Sequence, residues 1–196
     1  VDFTSGTPVV LTNGQVSTLE GSSSIADASG SLLFYTDGEE VYNKNHQQMS
    51  NGFGLKGGWS STQSALILRQ PGTDSIYYIF TVEEFLYGGL CYSIVDLTLQ
   101  NGLGEVTQKN IPLLLTCTER LTAVRHANGM DYWIVIHGWN NNKFYAYHFS
   151  ATGVDEIPVV SGTGTIHSGV VGNAIGYLRA SHNGLQLAVA VYDNNY

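Results

Sequence analysis

Apolar residues in this chain fall in short runs, some alternating with polar positions and some apolar throughout, broken by Gly, Asn and Asp. A helix would repeat its apolar positions every three to four residues, and that period is nearly absent. Four segments align with one another, at residues 28–35, 71–80, 127–136 and 181–190. Each is a Gly-bearing turn followed by a run that is apolar on both faces, which reads as a buried strand. The turn glycines Gly30, Gly72, Gly129 and Gly184 are spaced by 42, 57 and 55 residues.

The flanking segments repeat as well. Residues 64–69, 121–125 and 176–179 each predict a strand ending in Arg: Arg69, Arg125 and Arg179. Residues 40–43, 90–97 and 144–149 predict a strand after each apolar one, and residues 105–108 and 157–160 a weaker fourth. Four antiparallel strands every ~40–55 residues is the period of a propeller blade. The fold expected is therefore all-β, a partial β-propeller of about four four-stranded antiparallel blades. It forms one domain over residues 1–196, incomplete at its C-terminus because the chain stops after the second strand of its fourth unit. Asp37-Gly38 and Asn13-Gly14 suit two-residue hairpins, the second joining strands at residues 9–12 and 16–19. The rival is an immunoglobulin-like sandwich, which predicts shorter, more even strand spacing.

This topology collects the longest loops on one rim: residues 46–62, 83–89, 137–142 and 162–173. Long loops on a rigid scaffold commonly carry function. The candidate binding residues there are His46, Trp59, Tyr87, His137, Trp139 and Asn140, with Phe85 and His167 nearby. Exposed aromatics beside Asn and His suit contacts to glycan or protein; the alternative is that they cap the sheet ends. The three repeated arginines favour a structural tie between units over a ligand clamp.

Composition narrows the function. Charged residues are 12% of the chain and the net charge is −8, with only eight scattered Lys and Arg. That excludes a nucleic-acid partner held through phosphates and disfavours an anionic membrane surface. No apolar run approaches the ~20 residues of a membrane-spanning helix. No signal peptide is present, so Val1 reads as the start of a mature or trimmed chain. The six histidines show no tight ligand spacing, so no metal is expected. The match to G-x-G-x-x-G at residues 52–57 leads into a β-run rather than a helix, so no cofactor is expected. Cys91 and Cys117 could form a disulfide in an exported protein, or act as two buried thiols. The acidic pairs Glu39-Glu40, Glu83-Glu84 and Asp155-Glu156 are not on the first strands of the units, where only Asp27 offers a carboxylate. A glycosidase needs two carboxylates across one bond, so no catalytic residue is assigned.

Several motifs in fixed order carry a family resemblance: EGSSSIADASGSLLFYTDG at 20–38, VYNKNH at 41–46, SSTQSA at 60–65, LTAVRHANG at 121–129 and HGWN at 137–140. Together they resemble the N-terminal propeller-like region of large surface proteins of gliding Bacteroidota. Such proteins often continue to a gliding-motility-associated C-terminal region used for type IX secretion. The resemblance spans nearly the whole chain and implies export, an extracellular or cell-surface location and further domains of the parent chain. It implies no activity. The function expected is a non-enzymatic binding or structural module, in adhesion or surface assembly. The alternative is a secreted hydrolase or lyase acting on polysaccharide through Glu20, Asp27 or Asp37.

Overall fold

The structure is a computed structural model that describes residues 1–3 and 6–192. It is all-β. The first sheet is an antiparallel meander of β1 (Ser23–Ala26), β2 (Leu32–Thr36), β3 (Glu40–Asn43) and β4 (Gln48–Phe53). The second repeats the pattern with β5 (Ala65–Arg69), β6 (Ile76–Val82), β7 (Leu90–Asp96) and β8 (Glu105–Leu114). A single parallel bridge, Ser50 with Glu105, joins the two at their outer strands into one eight-stranded order, β1-β2-β3-β4-β8-β7-β6-β5. The third sheet holds β9 (Cys117–Arg125), β10 (Tyr132–Gly138) and β11 (Asn141–Ser150). Two further strands, β12 (Gly153–Val154) and β13 (Val159–His167), share the far edge of β11. A hairpin of β14 (Leu178–Ala180) and β15 (Leu187–Val189) follows.

Strand β6 explains how the sheets stack. Successive side chains on a strand point to opposite faces. Tyr77 and Ile79 enter a core with Phe34, Val41, Met49 and Val106, between the first two sheets. Tyr78, Phe80 and Val82 enter a second core with Leu121, Ile134, Ile136 and Phe149, between the second and third. The second sheet is thus covered on both faces, which is why β6 is apolar at nearly every position. A two-sheet sandwich would have one core; here there are two in succession.

Several expectations are corrected. Residues 9–19 form no hairpin. Among the described residues, Val9 bridges Asp2 and Leu19 N donates to Trp59 O, while Asn13 spends its side-chain amide on His46 Nε2 (2.7 Å) and Gln15 N donates to the Tyr35 hydroxyl (3.1 Å). The Asp37-Gly38 hairpin forms but is longer than two residues, since Asp37 Oδ1 accepts from both Glu39 N and Glu40 N. The segment at 46–62 contains β4, and β13 runs on from the expected 157–160 through much of the supposed loop at 162–173. The end of the chain at Tyr196 lies outside the described residues. Among the described residues, no helix is long and apolar enough to cross a membrane.

The candidate binding rim and the ties beneath it

Three connections meet at one rim: the β2–β3 turn, the segment between β4 and β5, and the β6–β7 connection. Backbone bonds fix the first two together, with Leu55 N donating to Glu39 O (3.0 Å) and Gly57 N to Gly38 O (2.9 Å). A Cβ on Gly57 would lie 2.6 Å from Gly38 Cα, so only glycine fits. This packing accounts for Gly57 of the glycine-rich run at 52–57; Gly52 packs on Met49 and Val41, and Gly54 holds φ 68°. The hydroxyl of Ser64 closes the loop, donating to Asp37 O (2.7 Å) and accepting from Gly58 N (3.0 Å).

The third connection is pressed against Gly58 by the carboxylate of Glu84. Trp59 follows Gly58, and Tyr87 closes the single helical turn Glu84–Leu86, so the two aromatics rise from segments in contact. Both are exposed, Trp59 by 50% and Tyr87 by 76%, and Tyr87 packs edge-on against Phe85 at 6.1 Å. Phe85 and Leu86 hold positive φ, 52° and 69°. Such strain persists only where surroundings enforce it, and Glu119 does so by accepting from Phe85 N (3.3 Å). Burial, then the charges of Asp37 and Glu84, holds Glu39 above the usual carboxylate range. Burial and Glu84 raise Glu83 likewise.

Beneath the rim, residues 59–64 join residues 18–21, β9 and β14. Leu19 N and the Thr18 hydroxyl donate to Trp59 O, and Gly21 N to Ser61 O, all at 2.8–3.1 Å. Thr62 donates through N and Oγ1 to Glu119 Oε2 (2.9 and 2.8 Å). Gln63 Oε1 accepts from Leu121 N of β9 (3.1 Å) and Leu178 N of β14 (2.7 Å).

The tie expected of Arg69, Arg125 and Arg179 is instead made by Arg120. All three expected residues are exposed, and Arg69 pairs only with Asp74 of its own turn (3.1 Å). Arg120 is fully buried and donates to the carbonyls of Asn173 (3.2 Å), Ala174 (3.0 Å), Ile175 and Ala190 (2.9 Å). Glu119 and Arg120 are neighbours on β9 and point opposite ways, one to the preceding unit and one to the following. Sequence reasoning missed both by starting the strand at Leu121. The usable signal was an opposite-charge pair inside an apolar run, since a buried charge must find partners.

The remaining predicted site residues divide. His46 is half-buried between Asn13 and the Tyr35 hydroxyl (3.0 Å), away from the aromatic rim. His137 and Trp139 are buried, at 1% and 9% exposure, because the supposed loop at 137–142 is a tight turn between β10 and β11. Only Asn140 is exposed there, at φ 57°. His137 stacks edge-on with His167 at 4.4 Å and donates through Nδ1 to Gly138 O (2.7 Å). Burial lowers the affinity of both rings for a proton, with the Arg120 charge adding to it.

Asp27 caps its own turn, its Oδ1 accepting from Ser29 N, Ser29 Oγ and Ser31 N, and Asp37 Oδ1 caps the β2–β3 turn. Cys91 and Cys117 are free and buried, and burial raises both thiols. Among the described residues, no group of three or more His, Cys, Asp or Glu could hold a metal ion. No family model matches the chain, and neither a curated protein nor a solved structure matches it.

Proposed function

We propose that the chain is a non-enzymatic binding and structural module of a secreted cell-surface protein, built as an incomplete β-propeller that presents one rim to glycan or protein. The observation that carries this reading is the exposed pair Trp59 and Tyr87, held on a braced and strained rim. Large aromatics left in water on rigid backbone are the usual anchors of recognition. The stacking of three sheets with a core on each face of the second supports the propeller architecture. Export, a cell-surface location and further domains of the parent chain rest on the resemblance to the gliding Bacteroidota surface proteins.

Glycan-array retention tests the rim. Trp59→Ala and Tyr87→Ala should each weaken retention by about tenfold or more, as loss of an interfacial aromatic does. Undiminished binding by the double variant would remove the rim from the proposal. A second reading, a polysaccharide hydrolase or lyase, gains from the raised carboxylates of Glu39 and Glu83 beside those aromatics. Turnover of a polysaccharide, abolished by Glu83→Gln, would favour it.

A further inference from the structure

At the opposite end of the first strands, the turns after β9 and β14 enclose an open cleft of about 500 Å³. Arg125 and His126 line one side, and Arg179, Ser181, His182 and Asn183 the other. Arg125 and Arg179 are paired in their sheets through backbone alone; their guanidinium groups are exposed and bond no described residue. The contrast with Arg69, at the same place in the second sheet, is direct: that guanidinium is paired with Asp74. The β14–β15 turn has no acid to offer. In the β9–β10 turn, Asp131 is taken by Asn128 (2.7 Å) and His148 (3.1 Å). The chain carries 16 acidic residues against eight basic ones, yet no carboxylate lines this cleft. Its local charge is therefore opposite to that of the whole.

We propose that this cleft is an anion-binding site for an acidic saccharide, with Arg125 and Arg179 holding a carboxylate or sulfate group. A guanidinium fork matches the oxygens of either group, and its charge-assisted bonds are about twice as strong as neutral ones. The lining favours a sugar over an acidic peptide: the side-chain NH2 of Asn183 and the ring of His182 can meet sugar hydroxyls, while Ser181 Oγ and Asn183 Oδ1 are bonded to each other (2.8 Å) and to Gln186 N and Leu185 N, and Val124 is the largest apolar side chain in the cleft. The volume lies within the roughly 300–1,000 Å³ of small-ligand pockets. This site is separate from the Trp59 and Tyr87 rim and does not depend on it.

Calorimetric titration with trigalacturonate, inorganic sulfate, uncharged galactotriose and a hexaglutamate peptide, at constant ionic strength, tests the assignment. The expected result is saturable binding of trigalacturonate, weaker binding of sulfate and none of galactotriose. Arg125→Gln with Arg179→Gln should weaken trigalacturonate binding by about a hundredfold, two charge-assisted bonds being lost. An unchanged melting temperature would confirm that this variant is folded, as its exposed positions predict. Trp59→Ala with Tyr87→Ala should leave this binding unchanged, which separates it from the rim. Absence of saturable trigalacturonate binding, equal affinity in the arginine variant, or tighter binding of hexaglutamate would each overturn the proposal.

Discussion

Arg120→Met should destabilise the protein by about 3 kcal/mol, the largest effect of any single side-chain change predicted for this chain. Methionine keeps most of the aliphatic stem, so packing changes little and the hydrogen bonds are what is lost. Four backbone carbonyls then lose their donor, at about 1.5 kcal/mol each. Against this, burial has pulled the guanidinium down to about 10 from its usual 12.5, a desolvation cost of about 3 kcal/mol that the variant no longer bears. The difference leaves about 3 kcal/mol. It should appear as a lower midpoint in urea unfolding, and native-state hydrogen exchange should show Leu178–Ala180 losing protection before β6 and β7. A variant as stable as the parent would mean that Arg120 does not hold the fourth unit.

Stability should also fall with acid between pH 6.5 and about 4. Burial, followed by the charges of Arg120 and His137, lowers His167 from 6.5 to about 4, and burial lowers His137 in the same direction. The unfolded chain takes up a proton near pH 6.5, whereas the folded one resists until about pH 4. The contribution is therefore complete above pH 6.5 and is lost as the pH falls through that window, by about 3 kcal/mol for His167 alone. Glu39 and Glu83, whose folded values are raised, work in the other direction and flatten the total. His167→Phe isolates the histidine, since Phe preserves a ring against His137 and the His167 carbonyl that accepts from Asn140 N is backbone. The difference in stability between parent and variant should shrink as the pH falls from 6.5 to 4. A constant difference would remove His167 as the cause.

The apolar run of β6 was legible because both of its faces are buried in apolar cores, so no polar residue but Thr81 interrupts it. Strand β4 was not, because only Met49 and Gly52 turn inward, while Gln48, Ser50 and Asn51 meet solvent and read as loop. Trp59 and Tyr87 were legible as exposed aromatics on connections. His137 and Trp139 have the same composition but sit at a tight turn that draws them inward, and sequence alone could not separate the two cases. The inter-unit ties escaped for the opposite reason. Charge inside a strand is costly unless paired, and the partners of Glu119 and Arg120 lie 34 to 70 residues away along the chain.

An experimental electron-density map of the chain is the most direct test. The account predicts Gln63 Oε1 within hydrogen-bonding reach of both Leu121 N and Leu178 N, and β6 covered by a sheet on each face. Density with β6 facing water on one side, or with two sheets closed around a single core, would contradict it.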